Sequence, residues 1–477
     1  MQLLADTTRI IWFGTFLALG NFLHADSNWN QFRGNQGRGF IENKHHTSLK
    51  PLSMDNINWH IQVGRGHSSP VLTEDSIIIT TFEGGDFYVR SFNKDNGRSS
   101  WNWKTHPNKI EKGHRNGSPA ASSVAVSDSG DVIAYSGSFG LVCLDRHGNE
   151  KWRKDLPTPI TQHGSGTSPI IADNKVILCV DQDLNSHLLC FDLNNGKKIW
   201  RAERNGFRRG FSTPLIWKDT NNIKSVFVLG TLRAVNYSLD TGSELWSVAG
   251  LPNETCSTPV FSKNKLYLAA WTYGVGVSRI PDFSELLQEG DNNNDGVLSK
   301  NEAPPGSPAK IHFPYVDADK DGVITNNEYD SLSDIFRNSK NTLMALDVSN
   351  GATKEPTILW KFYKGLPYVP SPIVYREKVY IVKNGGMVSA FDQHTGKVFF
   401  QQERLGAIGD YYASPIAVGN RILFISQQGI LTELAASEQF EIRSQLDLKE
   451  TVFATPAISH NSVIVRTSAS LVSFNLE

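Results

Sequence analysis

The stretch SPIIADNKVILCVDQDLNSHLLCFDLNNGKKIW, Ser168 to Trp200, carries four strand signals in succession. An apolar run follows Pro169, and an Asp-Asn turn leads to KVILCV. LLCFD makes a third run, and Asn195-Gly196 turns the chain into a fourth that ends in Trp200. The unit recurs. A Ser/Thr-Pro pair opens it at Ser69-Pro70, Ser118-Pro119, Ser168-Pro169, Thr213-Pro214, Thr258-Pro259, Ser371-Pro372, Ser414-Pro415 and Thr455-Pro456. Successive prolines lie 49, 50, 45, 45, 113, 43 and 41 residues apart, a period that suits a four-stranded supersecondary unit.

The closing aromatic recurs at Trp101, Trp152, Trp200, Trp246, Trp360 and Phe400, and the last-turn glycine at Gly97, Gly148, Gly196, Gly242, Gly351 and Gly396. Four-stranded units repeated radially make a β-propeller, in which neighbouring blades bury one another's faces. The expected fold is therefore all-β: an eight-bladed propeller of four-stranded antiparallel blades over residues 57–477. The last unit, Thr455 to Asn475, supplies only three strands, while Asn58-Trp59 is a lone fourth-strand signature. The N-terminal strand Ile57 to Ile61 is expected to complete the last blade and remove its open edge. The tryptophans are expected to dock blades and not to cage a substrate, and the Ser/Thr-Pro pairs to be architectural, because proline is tolerated at a strand start.

The long spacing contains something different. Within the fifth unit, between KLYLAAW and TLMALD, residues 279–341 carry DNNNDGVLSKNE (Asp291 to Glu302) and DADKDGVITNNE (Asp317 to Glu328), and both match the EF-hand calcium loop. Positions 1, 3 and 5 aim oxygens inward, glycine at 6 permits the sharp turn, and the glutamate at 12 closes the sphere. The expected ligands are Asp291, Asn293, Asp295, the Val297 carbonyl, Ser299 through water and Glu302 in the first loop. In the second they are Asp317, Asp319, Asp321, the Val323 carbonyl, Thr325 and Glu328. The second loop holds four acids against three in the first, so tighter binding is expected there. Pro304, Pro305, Pro308 and Pro314 break the connection between loops, which points to an abbreviated helical pair.

Connections from a fourth to a first strand, and from a second to a third, emerge on one face of such a propeller, so the insertion belongs over that face. Polar residues gather in the same segments: Arg65, His67, His114, Arg115, His163, Arg208, Arg209, Glu254, Asp410 and Tyr411. A ring of this kind around a central channel is a candidate ligand site, and its early cations suit a small anionic ligand. The alternative is a merely wet channel. No pair among them has a spacing that demands catalysis, so no catalytic residue is assigned. The three histidines lie in different blades without acidic or thiol companions in sequence, which argues against zinc.

The rest of the composition narrows the class. The 47 basic and 48 acidic residues leave a net charge of -1, which argues against a nucleic-acid partner. Four cysteines form no disulfide framework, although Cys179 and Cys190 sit on consecutive strands and are a candidate pair. Residues 1–25 read as a signal peptide, with the apolar run Ile10 to Ala18 and a small residue at Ala25. An exported, periplasmic or extracellular protein without a transmembrane span in its mature form is expected, with residues 26–56 as a lead-in.

The blade ending Asp192 to Trp200, Asp-x-x-x-Gly-x-x-x-Trp, and its counterpart Asp392 to Phe400 resemble the pyrroloquinoline-quinone (PQQ)-type repeat. The lead-in WNQFRGNQGRG, Trp29 to Gly39, is similar to the Trp-Pro-Gln-Phe-Arg-Gly opening of exported bacterial members, with Asn30 in place of proline. The resemblance implies the propeller fold and leaves function open, because the repeat serves both quinoprotein dehydrogenases and non-catalytic propellers such as the outer-membrane-assembly lipoprotein. The dehydrogenases' vicinal cysteine pair and haem-attachment motif are missing here. The preferred reading is thus a calcium-binding propeller acting as a ligand- or protein-binding scaffold. A PQQ-dependent alcohol or sugar dehydrogenase with a divergent site, and an assembly factor for envelope or extracellular proteins, are the alternatives.

Overall fold

In KVILCV both faces of the strand are apolar, and the reason is visible in its packing. Val176 and Leu178 pack with Ile133, Cys143 and Trp152 of the preceding unit. Ile177 and Cys179 pack with Val226, Val228 and Tyr237 of the following one. Alternate side chains of one strand thus face two neighbours, so the run is continuous instead of alternating. A computed structural model describes residues 29–42, 49–275 and 279–477; the expected signal peptide lies outside them.

Eight four-stranded antiparallel sheets form the blades of the propeller. Blade three runs Ile170–Ala172, Lys175–Val180, His187–Asp192 and Lys198–Glu203, each strand paired with the next. Blade eight is closed by the chain's two ends: Ile57–Gln62 pairs antiparallel with Ser470–Asn475, Ile61 opposite Leu471. The insertion leaves blade five after Lys265–Ala270 and returns at Thr342–Asp347, two strands that pair directly.

Two devices join the blades. The first is the fourth-strand aromatic. A β-bulge one residue before it recurs, as at Asn58, Lys151 and Ile199, and turns the ring toward the next blade. The indoles of Trp59, Trp101, Trp152 and Trp200 then donate to the carbonyls of Lys94, Arg146, Leu193 and Leu239 in that blade at 2.7–3.1 Å. Their rings cover the turn glycines: a Cβ at Gly148 would lie 2.6 Å from Trp101, and one at Gly242 2.5 Å from Trp200. These glycines also hold φ near +70 to +85°, so the position is restricted twice over. Trp246 of blade four donates to Ala352 O in blade five, while the neighbours of Gly351 are Asp219 and Asn221; Gly351 is not the equivalent docking glycine.

The second device is a hydrogen-bonded ring at the hub. Each blade's Ser or Thr hydroxyl accepts the backbone N–H of its counterpart in the preceding blade: Ser69 N to Ser123 Oγ, Ser123 N to Ser168 Oγ, Ser168 N to Thr213 Oγ1, Thr213 N to Thr258 Oγ1. The series continues through Ser371, Ser414 and Thr455 and returns from Thr455 N to Ser69 Oγ at 2.9 Å. Eight bonds of 2.9–3.3 Å close the circle. The second blade's member is Ser123, not Ser118 of the Ser-Pro pair. Val124 stands there where the other blades have proline, so the dipeptide pattern pointed five residues too early. Ser118 Oγ instead accepts Ala120 N within its own turn.

The lead-in crosses the hub. Trp29 O accepts Leu72 N, Asn30 O accepts Val126 N and Gly39 O accepts Ala417 N, at 2.7–2.9 Å. Each of these partners lies three residues beyond its blade's ring hydroxyl, so the lead-in plugs the channel on one side of the ring. Arg33 is fully buried and donates to Pro372 O at 2.7 Å. The sequence resemblance marked this segment without giving it that role.

All four cysteines are free. Register explains why the candidate pair does not meet: Cys179 lies opposite Leu188 and Cys190 opposite Ile177.

A Ser123→Ala variant should lose about 1–3 kcal/mol of stability, because the buried Ser69 N–H is left without a partner. Ser118→Ala should lose less than about 1 kcal/mol. Chemical denaturation of the two variants beside the parent measures the difference, and equal losses would contradict the ring's importance.

Candidate functional site

The eight ring hydroxyls face a cavity of about 780 Å³ in the hub. None of them donates to a protein acceptor among the described residues, so each keeps a proton for the channel contents. Phe32 of the lead-in reaches the same cavity from the plugged side. A second cleft of about 530 Å³ between blades two and three borders Tyr135, Lys154 and His187 but lies away from the hub and its loops.

Seven of the ten channel residues expected from sequence line the hub cavity: His67, His114, Arg115, His163, Arg209, Glu254 and Asp410. Three do not. Arg65 is exposed, and its backbone N–H donates to Glu83. Tyr411 is 1% exposed, packs between blades six and seven and donates to Ala407 O, while its neighbour Tyr412 takes the cavity position. Arg208 turns to the insertion, where it donates to Tyr315 O at 3.0 Å.

The walls combine flat rings with charge. His67 stacks on Phe453 with centroids 4.0 Å apart and planes 17° from parallel. Burial, with the nearby Arg466 cation, presses the imidazole down to about 4, so it is neutral at pH 7. Tyr412 packs beside Phe453, and its hydroxyl accepts Asn116 Nδ2 at 2.8 Å. Across the channel His114 and His163 lie 5.6 Å apart, and His163 Nε2 is 4.0 Å from Glu254 Oε2. Burial lowers His163, with Glu254 opposing and Arg209 and His114 adding to the shift. Tyr368 donates to Glu254 Oε1 at 2.8 Å.

Arg209 pairs with buried Asp183 at 2.8 Å, with Arg208 3.5 Å from the same oxygen. Arg115 is exposed at the mouth with no charged or hydrogen-bonding partner among the described residues. The site is thus cationic at one rim and buffered by acids elsewhere. Asp183 was legible in principle, because it sits in a second-to-third-strand connection on the same face. Phe32 and Phe453 carry no such signal.

The insertion contributes the remaining wall through His312 and Phe336, as expected for a second-to-third-strand connection. Its helices are α1 (Phe283–Gly290), α2 (Pro308–Ile311), α3 (Phe313–Val316) and α4 (Asn326–Asn338). Pro308 is the first residue of one four-residue helix and Pro314 the second residue of another, which shortens the linker as the sequence pattern predicts. The two acidic loops lie back to back through a two-residue ladder, Leu298 opposite Ile324 and Ser299 opposite Val323. Leu298 and Ile324 are fully buried with Phe283, Phe313, Val316 and Tyr329.

Within the second loop Asp317, Asp319 and Asp321 bring carboxylate oxygens within 4.8 Å of one another. Asp317 is 8% exposed, and its Oδ1 has no hydrogen-bond partner. An unpartnered buried carboxylate oxygen beside two further carboxylates is the donor set of a hard divalent cation. In the first loop Asn293 Nδ2 already occupies Asp295 Oδ2 at 2.8 Å. No helix among the described residues is long and apolar enough to cross a membrane.

Comparisons with known proteins follow the fold. The family model described as outer membrane protein assembly factor BamB matches residues 85–267 and 322–476. Among solved structures, BamB from Moraxella catarrhalis is 15% identical with a TM-score of 0.56, covering 88% of this chain and 98% of that one. The quinohemoprotein alcohol dehydrogenase ADHIIG from Pseudomonas putida HK5 is 12% identical with a TM-score of 0.54, covering 94% and 80%. The computationally designed Ika8 protein is 13% identical with a TM-score of 0.52, covering 87% and 99%. At these identities the structures share the fold alone. No curated protein matches the sequence.

Lowering the pH should test the His67 environment. The folded state holds this imidazole at about 4 and the unfolded chain near 6.5, so between these values the unfolded state binds more protons and stability falls as pH falls. A His67→Phe variant, which keeps a ring against Phe453, should lose less stability between pH 6.5 and 4 than the parent. The difference should reach at most about 3 kcal/mol. Parallel denaturation curves across that window measure it, and superimposable pH slopes would refute the assignment.

Proposed function

We propose that this chain, which belongs to the repeat-propeller family described as outer membrane protein assembly factor BamB, is a calcium-binding module that holds a small anionic ligand with a flat ring in its hub. The observation that carries this reading is the cavity itself. Eight hydroxyl donors surround it, Phe32, Phe453 and Tyr412 supply ring faces, and Arg115 presents an unpaired cation at the rim. Donors without competing acceptors favour an anion, and ring faces favour a planar body.

Two calcium ions are assigned to the insertion, with the second loop the tighter. Its four acids and the free Asp317 oxygen support that order. Calcium there would supply a structural charge that draws the loop carboxylates together. Export to the periplasm or beyond fits the N-terminal sequence.

Isothermal titration with planar aromatic dicarboxylates and with PQQ, a planar tricarboxylate, tests the hub. The parent should bind at least one of them, and Arg115→Ala should weaken it about tenfold or more, the worth of one charge-assisted contact. Unchanged affinity in the variant, or no binding of any probe, would overturn the reading. Calcium-dependent, dye-linked oxidation of alcohols or sugars after PQQ loading would instead favour a dehydrogenase.

Titration with calcium alone separates the loops. Glu328→Gln should abolish the tighter of two binding events and Glu302→Gln the weaker. Equal losses, or no calcium binding by the parent, would remove the assignment.

A further inference from the structure

Both segments that leave the second acidic loop carry a wall of the hub cavity. His312 lies five residues before Asp317 and Phe336 eight residues after Glu328, and both line the cavity. Their rings stack with centroids 6.3 Å apart. Between His312 and the loop, α3 is anchored to the propeller: Tyr315 O accepts from Arg208, and the Arg209 guanidinium lies 4.4 Å above the Tyr315 ring. The helix ends on Asp317 itself. On the other side Glu328 closes the capping box of α4 with Thr325, the helix that carries Phe336. Ser339 at the end of α4 donates to Asn253 of the blade-four exit at 3.2 Å. The loop therefore joins two wall-bearing segments that share the insertion's core and are each pinned to the propeller.

We infer that the hub's ligand site is composite: His312 and Phe336 of the insertion form its outer wall against the flat ring of an anionic ligand, and calcium in the Asp317–Glu328 loop sets their position. The inference rests on the reading of the hub and loop given above. The physical cause is local. Without a cation, Asp317, Asp319 and Asp321 repel one another at close range, and Asp317 Oδ1 is buried without a partner. Relief of that repulsion requires the loop to open, and opening displaces the segment on each side. With calcium bound the loop closes and the wall seats over the cavity. By linkage, a ligand gripped by the seated wall tightens calcium by the same factor as calcium tightens the ligand.

Cys256 gives a readout that needs no ligand. It lines the cavity and is partly exposed, whereas Cys143, Cys179 and Cys190 are buried in blade cores. The rate at which a methanethiosulfonate reagent modifies Cys256 in the full chain reports how open the mouth is, with Cys256→Ser as the blank. Calcium should slow modification about fivefold or more, the lower end of ordinary coupling between sites. Glu328→Gln should remove the slowing while Glu302→Gln keeps it, and Phe336→Ala should label fast with calcium present. Calcium titrations on the same samples separate the failures. Bound calcium with an unchanged rate overturns the coupling alone, and slowing that survives in Glu328→Gln does the same. Absence of calcium binding removes both the coupling and the calcium assignment. A hub that binds no anion leaves the rate measurement readable and would remove only the ligand.

Discussion

A backbone N–H that meets the hydroxyl of the next blade, eight times around, is the constraint on which the molecule depends. Each bond is ordinary in strength, but the set is closed. No blade can tilt or slide at the hub without stretching two of them, and the donors belong to buried residues, where a lost partner is costly. The requirement for a short hydroxyl explains why Ser and Thr alternate freely at these positions while no other residue type stands there. It also gives the hub its chemistry. Hydroxyls that accept from the backbone have a proton left over, so the device that fixes the blades also lines the channel with donors.

The rim of the propeller obeys a different rule. There the indoles of Trp59, Trp101, Trp152, Trp200 and Trp360 are each wedged over a glycine and tied by the N–H to a carbonyl of the next blade. Hydrogen bonding near the axis and aromatic packing near the rim fix the angle between blades at two radii. The insertion escapes both, because it enters and leaves blade five between adjacent strands and needs no change in either. That freedom lets a module with its own core of Phe283, Leu298, Ile324 and Tyr329 sit over the mouth without disturbing the ring beneath it.

The repeat was legible because each blade repeats the same solution, and the amino-acid pattern records that solution directly: paired apolar strands, an Asn-Gly turn, a closing tryptophan. The acidic loops were legible for a similar reason, since oxygen spacing is a local property. Legibility failed where the residue that matters is not the one that is conspicuous. Ser118-Pro119 matches the dipeptide, but Ser123 makes the bond. Tyr411 and Tyr412 are indistinguishable by type, and a one-residue difference sends one into the core and the other to the cavity. The pairing of Arg208 with Tyr315, and of Arg209 with Asp183, joins segments whose approach depends on the curvature of the whole ring, which no local pattern encodes.

The strand exchange that completes blade eight has a consequence for the order of assembly. Ile57–Gln62 carries Trp59, whose indole rests on Gly97 of blade one, yet its own hydrogen-bonding partner is Ser470–Asn475 at the far end of the chain. Ile57–Gln62 cannot take its place in the sheet before Ser470–Asn475 is in position to pair with it. Pairings so distant in sequence make for slow, cooperative acquisition of structure. The first blade is thus the last to be fully secured.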